Sequence, residues 1–205
     1  MSVNELHTWT GFAQKTTRTE PSRLLQHALI LLEEKPLPRS KTALDLGCGA
    51  GNEVMALLER GYNVTALDFD SGVLERLQER ASEYADTLTL VQGEFHQLPR
   101  RKYGLIYASL SLPFATPENW RKTWRVIQQS VAVNGLFAAA LFGPEDELLP
   151  PGKRVLITTD KVPALLPGFE IVSLNERKGE GQRVRDSSAF HTHQIILIAR
   201  KTRQT

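Results

Sequence analysis

Cysteine is almost absent from this chain of 205 residues, which contains only Cys48. An internal disulfide is therefore impossible, and we expect a reducing, cytoplasmic environment. A strong excess of one charge is also lacking, because 25 basic and 23 acidic residues leave a formal net charge of +2. This balance gives no reason to expect nucleic acid or an anionic membrane as a partner.

Long apolar runs and targeting patterns are missing as well. No uncharged apolar stretch reaches the roughly 18 residues of a membrane-spanning helix. The N-terminus lacks the basic-then-apolar pattern of a signal peptide, and the chain shows no internal repeat or low-complexity segment. The length and the apolar content of 41% predict one globular domain over residues 1–205.

Apolar segments of strand type and helix type alternate along the chain. We predict an N-terminal helix over 20–34 and strands over 42–46, 62–67, 87–91, 103–108, 136–142, 169–174 and 194–199. A further helix begins at Thr116-Pro117 and places Trp120 and Trp124 on one face, which we assign to the core. We expect a turn at Asn134-Gly135 and a flexible polar loop around Gly179 and Gly181. The alternation predicts a mostly parallel sheet with helices on both faces.

Glycine occurs at every second position directly after the first strand, at Gly47, Gly49 and Gly51. Because glycine lacks a side chain, the backbone can turn tightly there and a ligand can lie against it. The dinucleotide fingerprint G-x-G-x-x-G would need a third glycine where this chain has Asn52. Asp45, two residues before the loop, would repel a pyrophosphate and suits a ligand that carries an ammonium group.

This motif resembles motif I of the class I S-adenosylmethionine-dependent methyltransferases. The resemblance implies S-adenosylmethionine as the cofactor, with Asp45 near its methionine end and the loop backbone under its ribose. It assigns the loop contacts to Gly47, Cys48, Gly49, Gly51 and Asn52, with Cys48 as a small apolar residue rather than a nucleophile. The fold class that we expect is α/β, a Rossmann-like, mostly parallel seven-stranded sheet with helices on both faces and an antiparallel last strand.

Polar residues at the ends of the next strands support this interpretation, since ligands of open α/β sheets bind at the carboxyl ends of the strands. Asp68 ends the second strand and lies 23 residues beyond Asp45 (68 minus 45), close to the roughly 20-residue spacing of a ribose-binding acid. We include its neighbour Phe69 in the site. In the family, the third strand end contacts the adenine and the fourth contacts the methionine part. These positions hold Glu94 with Phe95, and Ser109.

The segments on either side of the core, which spans 42–142, resemble small methyltransferases of the tellurite-resistance and thiopurine groups. The resemblance implies that residues 1–38 form a helical lid, in which Trp9 covers the cofactor and Arg18 or Arg23 reaches its carboxylate. Either arginine could equally be a solvated residue of a surface helix. Residues 143–205 would supply substrate-side loops and the final strands.

The segment directly after the fourth strand indicates the class of acceptor. Methyltransferases that act on DNA bases or glutamine amides carry an Asn/Asp-Pro-Pro-aromatic motif there, whereas this chain has Ser109-Leu110-Ser111-Leu112. We therefore expect a small-molecule acceptor and no nucleic acid. His191 and His193 flank the entry to the last predicted strand. They are weak candidates for a general base, and hairpin residues without a catalytic role are the favoured interpretation. With no third ligand evident, we expect no metal.

Two other functions remain open at this point. One is a methyltransferase fold that binds the cofactor but has lost or changed its reaction, because methyl transfer requires no obligatory catalytic residue. The other is a nicotinamide-dependent oxidoreductase, which Asn52 and the lack of a Tyr-x-x-x-Lys pair disfavour. The protein could be a monomer or a homodimer.

Overall fold

The computed structural model describes residues 20–34, 41–99, 101–148, 155–183 and 187–203, together with Ala13, Thr16 and Thr17. They form a seven-stranded sheet with helices on both faces. The strands are β1 (Thr42–Leu46), β2 (Asn63–Asp68), β3 (Leu88–Gln92), β4 (Tyr103–Ser109), β5 (Val131–Phe142), β6 (Phe169–Gln182) and β7 (Ala189–Lys201). The helices are α1 (Arg23–Glu34), α2 (Asn52–Leu58), α3 (Ser71–Arg80), α4 (Pro117–Ser130) and α5 (Val162–Leu165).

The strand order is β3-β2-β1-β4-β5-β7-β6. The first five strands of this order pair in parallel, and β7 lies antiparallel between β5 and β6. The predicted mostly parallel sheet with an antiparallel last strand is therefore confirmed. Because the chain leaves β3 at one edge and re-enters beside β1, the strand order reverses between β1 and β4. Such a switch point is where open α/β sheets bind their ligands.

Two apolar clusters cover the two faces of the sheet. Helices α1, α2 and α3 pack on one face, and helices α4 and α5 pack on the other. The ring of Trp124 is buried and lies edge-on to Phe137, with 5.5 Å between the ring centroids. Trp120 is partly buried against the same cluster. The assignment of both tryptophans to the core is confirmed.

The expectation of a turn at Asn134-Gly135 is wrong. Strand β5 begins at Val131 and runs through both residues. The pairing of β4 with β5 jumps from Tyr103↔Val131 to Leu105↔Leu136, and Asn134 has a φ of +67°. The three extra residues of β5 make an irregularity in the pairing, and β5 continues through it with a left-handed residue at Asn134.

The expectation of a flexible loop around Gly179 and Gly181 is also wrong. Both glycines lie in β6, where Gly179 pairs with Thr192 and Gly181 with Phe190. The last pair between β5 and β7 is Phe142↔Gln194. Residues 178–182 and 189–193 therefore project beyond the edge of the sheet as a two-stranded arm, which we call the β6–β7 arm. Because the arm extends past the clusters that cover the sheet, it lacks the apolar alternation from which a strand is predicted.

Within the described ranges, no helix combines the length and the apolar character needed to cross a membrane.

Candidate active site

The glycine loop after β1 turns at the carboxyl edge of the sheet. Gly47, Gly49 and Gly51 have φ values of +73°, +49° and +73°, a backbone region that residues with side chains rarely adopt. A Cβ atom on Gly47 would lie 2.5 Å from Cβ of Ser111, and one on Gly51 would lie 2.4 Å from Cδ1 of Leu77. A Cβ on Gly49 would meet no described atom within 4 Å. Gly49 therefore presents bare backbone to open space.

Asp68 at the end of β2 lies directly beside this opening. Its Oδ2 accepts a hydrogen bond from the Gly49 N–H at 3.1 Å, and its Oδ1 accepts one from the Asp70 N–H at 3.1 Å. The residue is only 7% exposed, and this burial raises the pKa of its carboxyl group, an effect that the two N–H donors oppose. Asp68 thus joins the end of β2 to the glycine loop.

Two further buried acids surround the loop. Asp45 in β1 and Glu53 in α2 are both buried. Burial raises the pKa of Asp45 well above its ordinary value, and the negative charges of Glu53 and Asp68 raise it further. We call Asp45, Glu53 and Asp68 the acid trio. Because three buried carboxylates repel one another, a ligand that brings positive charge into the loop lowers the electrostatic energy of the site.

Cys48 lies within the same electrostatic environment. Burial raises the pKa of its thiol, and the charges of Asp68 and Asp45 raise it further. The thiol is therefore neutral and inaccessible, which agrees with the interpretation of Cys48 as a small apolar residue.

Asn52 connects the loop to two other parts of the chain. Its Nδ2 donates to the carbonyl oxygen of Thr16 at 2.9 Å, and its Oδ1 accepts from Arg80 at 3.0 Å. Arg80 also donates to the carbonyl oxygen of Ala50 at 2.7 Å. The residue that replaces the third glycine of the dinucleotide fingerprint thus joins Thr16 to the loop.

A second attachment of the N-terminal segment escaped the sequence analysis. The Ser22 N–H donates to Oε1 of Glu53 at 3.2 Å, and the Ser22 hydroxyl lies 2.7 Å from the hydroxyl of Tyr107 in β4. Burial raises the pKa of Tyr107, as does the charge of Glu53. In the sequence Tyr107 looks like any other residue of an apolar strand. Its role in attaching Ser22 becomes visible only from the contacts in the folded structure.

The ends of β3 and β4 lie along the same edge. Glu94 is exposed, and its Oε2 accepts from Nδ2 of Asn119 at 2.8 Å. The ring of Phe95 comes within 3.5 Å of the position that a Cβ on Gly47 would take. Phe69, next to Asp68, is half-buried. Ser109 ends β4 and precedes Leu110, whose φ of +54° is unusual for a bulky residue and marks local strain of the kind that collects at functional sites.

Some of the predicted contacts lie beyond the structure. Trp9 and Arg18 are outside the described residues. Arg23, the alternative partner for a carboxylate, is the first residue of α1 and is exposed.

The two histidines lie in the β6–β7 arm rather than at a strand entry. His193 is 3% exposed, with Nδ1 accepting from the Glu145 N–H at 3.2 Å and Nε2 lying 2.9 Å from Oε1 of Glu176. His191 is 32% exposed, with Nδ1 3.6 Å from Oε1 of Glu180. Nδ1 of His193 is thus already hydrogen-bonded, whereas Nε2 is buried close to Glu176 without forming a hydrogen bond with the described residues. The part of the chain that the structure describes holds no group of three or more His, Cys, Asp or Glu residues suited to a metal.

Comparisons with known proteins agree with this geometry. Residues 43–135 match a family model described as a methyltransferase domain. The curated protein named "Probable ribosomal RNA small subunit methyltransferase A" from Methanospirillum hungatei is 37% identical over 83 residues, which are 40% of this chain and 32% of that protein. TehB from Haemophilus influenzae superposes with a TM-score of 0.74 at 17% identity, over 93% of this chain and 66% of that one.

The segment from β1 to the start of β5, which contains the glycine loop, is therefore similar to a methyltransferase domain. A further solved structure is the N-methyltransferase NodS from Bradyrhizobium japonicum in complex with S-adenosyl-L-homocysteine. Its TM-score is 0.69 at 13% identity, over 98% of both chains. At these identities the solved structures show that this chain has the same fold and nothing finer. The chain spans less than a third of the length of the curated relatives that it matches.

Proposed function

We propose that this protein transfers the methyl group of S-adenosylmethionine to a small-molecule acceptor. The observation that carries the proposal is the open space over Gly49, directly beside the Asp68 carboxylate. A ribose needs both a backbone that it can approach closely and a carboxylate that accepts from its hydroxyls. The loop offers both at one point of the sheet edge.

The acid trio supports a cationic cofactor in particular. S-adenosylmethionine carries a sulfonium and an ammonium group, and both gain from the negative charge of the trio. A nicotinamide dinucleotide would instead bring its pyrophosphate to the glycine loop, beside Asp45. In our proposal Asp68 holds the ribose, Asp45 faces the methionine end, and Glu94 with Phe95 lies beside the adenine. Phe69, Gly47, Cys48, Gly51, Asn52 and Ser109 complete the contacts, together with Trp9 and Arg18 from the N-terminal segment.

The cofactor supplies an activated methyl group whose departure leaves neutral S-adenosylhomocysteine. The acceptor lone pair forms the new bond to the methyl carbon as the carbon–sulfur bond breaks, and any proton on the acceptor passes to water or to a base. The protein need only align the acceptor in line with that bond and exclude water. Strained Leu110, at the end of β4, is placed to shape this approach.

A small acceptor is favoured by the chain after β4. In place of an Asn/Asp-Pro-Pro-aromatic motif, the hydroxyl of Ser111 donates to the carbonyl oxygen of Leu46 and Leu112 is buried. Neither side chain is available to hold a planar base or amide. The lone, buried thiol of Cys48 fits the reducing cytoplasm that we propose as the location. The oligomeric state that we propose is a monomer or a homodimer.

Ribosomal RNA is the second candidate acceptor, since a curated relative is named for that activity. The near-neutral net charge of +2 argues against it, because RNA binding rests on counterion release by a basic surface. A third outcome is a protein that binds the cofactor and has lost or changed its reaction.

The proposal is tested by isothermal titration calorimetry with S-adenosylmethionine, S-adenosylhomocysteine and NAD. We expect micromolar binding of the first two and none of NAD. Asp68→Asn keeps the shape of the side chain but removes a charge-assisted acceptor worth roughly 1.5–3 kcal/mol, so affinity should fall about tenfold to hundredfold. Exposed Asp86→Asn is the matched control and should bind like the wild type.

Tight NAD binding, or equal affinities in both variants, would overturn the cofactor assignment. Acceptors are then screened with radiolabelled S-adenosylmethionine against small amines, thiols, hydroxyls and carboxylates, with a small-subunit rRNA transcript in parallel. Methylation of the transcript alone would replace the small-molecule proposal with the RNA one. Cofactor binding without turnover on any acceptor would favour changed catalysis.

A further inference from the structure

The loop after β5 lies at the carboxyl edge of the sheet, where the acceptor of the proposed reaction must enter. We define the β5 loop as residues 143–148. We propose that His193 is a positioning residue that fixes the β5 loop against the β6–β7 arm and so sets one wall of the acceptor site. Only the statement that the β5 loop borders the acceptor site rests on the proposed function. The attachment itself stands on contacts within this chain.

The backbone of His193 holds the loop at two points. The Gly143 N–H donates to the carbonyl oxygen of His193 at 2.7 Å. The His193 N–H donates to Oδ2 of Asp146 at 2.9 Å, and Oδ1 of the same carboxylate accepts from the Leu148 N–H at 2.9 Å. Asp146 is buried, so its carboxylate joins the strand to the far side of the loop.

The imidazole ring adds a third attachment with a defined tautomer. Because Nδ1 accepts from the Glu145 N–H, the proton of the neutral ring resides on Nε2. Nε2 in turn lies 2.9 Å from Oε1 of Glu176 on β6. The ring is therefore hydrogen-bonded to the β5 loop through Nδ1, and its other side lies against Glu176 of β6, where Nε2 is buried without a hydrogen-bond partner among the described residues.

Gly143 makes room for this ring. A Cβ on Gly143 would lie 2.4 Å from Cδ2 of His193, closer than two carbon atoms can approach. The φ of Gly143 is not in the left-handed region, so the backbone alone does not require glycine there. The absence of a side chain is explained by the histidine that lies over it.

His191 provides a built-in comparison. It contacts the same loop through its backbone, since its carbonyl oxygen accepts from the Glu147 N–H at 3.0 Å and its N–H donates to Oε2 of Glu147 at 3.0 Å. Its ring is partly exposed, with Nε2 3.9 Å from Oε2 of Glu145. The His191 side chain is therefore dispensable for the attachment, whereas the His193 side chain is not.

The test compares His193→Asn with His193→Gln. The Asn oxygen occupies the position of Nδ1 and can still accept from the Glu145 N–H, whereas the Gln oxygen occupies the position of Nε2 and cannot. Hydrogen exchange of residues 143–148, read by mass spectrometry on the full chain, should become at least about fivefold faster in His193→Gln. It should stay near the wild-type rate in His193→Asn and in the control His191→Gln.

Gly143→Ala tests the same contact from the loop side. It should speed exchange of the β5 loop in the wild-type background and have no further effect in His193→Ala, where the ring is gone. Equal exchange in His193→Asn and His193→Gln, or additive effects of Gly143→Ala and His193→Ala, would overturn the attachment.

The positioning role is read from kinetics on the acceptor that the screen identifies. His193→Gln should raise KM for the acceptor about tenfold, leave the Kd for S-adenosylhomocysteine unchanged, and leave the shape of the pH profile of kcat unchanged. If kcat of His193→Gln no longer fell at low pH, in the range where histidine titrates, His193 would be identified as the base instead. Failure of cofactor binding in the wild type would overturn the proposed function but not the exchange result, so the two failures are distinguishable.

Discussion

At the scale of single residues, Gly49 and Gly61 provide a matched pair. Both have positive φ, at +49° and +75°, and at both an added Cβ would meet no described atom within 4 Å. They differ in place, since Gly49 lies beside Asp68 and Gly61 follows α2 at the opposite end of that helix. Any difference between their alanine variants therefore reports on a ligand rather than on backbone strain.

We expect Gly49→Ala and Gly61→Ala each to lower the free energy of unfolding by about 1 kcal/mol, the strain of a left-handed alanine. Gly49→Ala alone should weaken S-adenosylhomocysteine binding, by at least about tenfold, because the methyl group enters the space of the ribose. Urea denaturation and calorimetry measure the two effects. Normal binding by a folded Gly49→Ala variant would mean that the loop is only a turn.

At the scale of elements, the Ser22 side chain both caps helix α1 and contacts strand β4. Its hydroxyl accepts from the Leu25 N–H at 3.1 Å, which caps the first turn of α1, and lies 2.7 Å from the Tyr107 hydroxyl of β4. The predicted helix over 20–34 thus begins at Arg23, where the cap places it. The same side chain fixes where α1 docks on the sheet.

A double-mutant cycle separates the two roles. We expect Ser22→Ala to cost about 1–2 kcal/mol through the lost cap and the lost Tyr107 contact, and Tyr107→Phe to cost about 1 kcal/mol. Because the variants share one interaction, the double variant should be less destabilised than the sum of the two by about 1 kcal/mol. Urea denaturation measures each free energy. Strict additivity would show that the two hydroxyls do not interact.

At the scale of the whole molecule, the acid trio makes folding depend on pH. The folded state raises the pKa of Asp45 above its ordinary value of 3.8, so the folded protein holds this proton more tightly than the unfolded chain does. The stability that Asp45 contributes is therefore fully present below the unfolded pKa and is lost as pH rises through the folded pKa. At neutral pH the buried carboxylate opposes folding and favours a cationic ligand.

Asp45→Asn should accordingly raise the free energy of unfolding at neutral pH and flatten its decline as the pH rises from acidic to neutral. The same variant should bind S-adenosylmethionine about tenfold more weakly, because it removes negative charge from the site. Thermal melts across this pH range test the first effect, and calorimetry tests the second. The exposed Asp86→Asn variant is the control. If the free energy of unfolding of Asp45→Asn depended on pH as it does in the wild type, a group other than Asp45 would be responsible for that dependence.

The sequence by itself determined the order of the elements and the identity of the glycine loop. Strand β1 was predicted with its observed bounds, and the strands that end at Asp68 and Ser109 were predicted within one residue of theirs. These features follow from local patterns, because buried strands are apolar along their length and a tight turn needs glycine. Parallel strands then bring their carboxyl ends to one edge, so the spacing of Asp45 and Asp68 already indicated a shared site.

Tertiary structure alone decided which residues meet across the chain. Ser22 and Tyr107 are 85 residues apart, and Glu145 and His193 are 48 apart. The periodicity of apolar residues along the sequence does not predict such pairs, because each partner by itself looks like an ordinary cap, strand or loop residue. The β6–β7 arm escaped prediction for a related reason: its polar strands pair with each other beyond the covered sheet, where no apolar face is required. Pairing with the next strand of the chain, rather than burial of an apolar face, made that segment a strand.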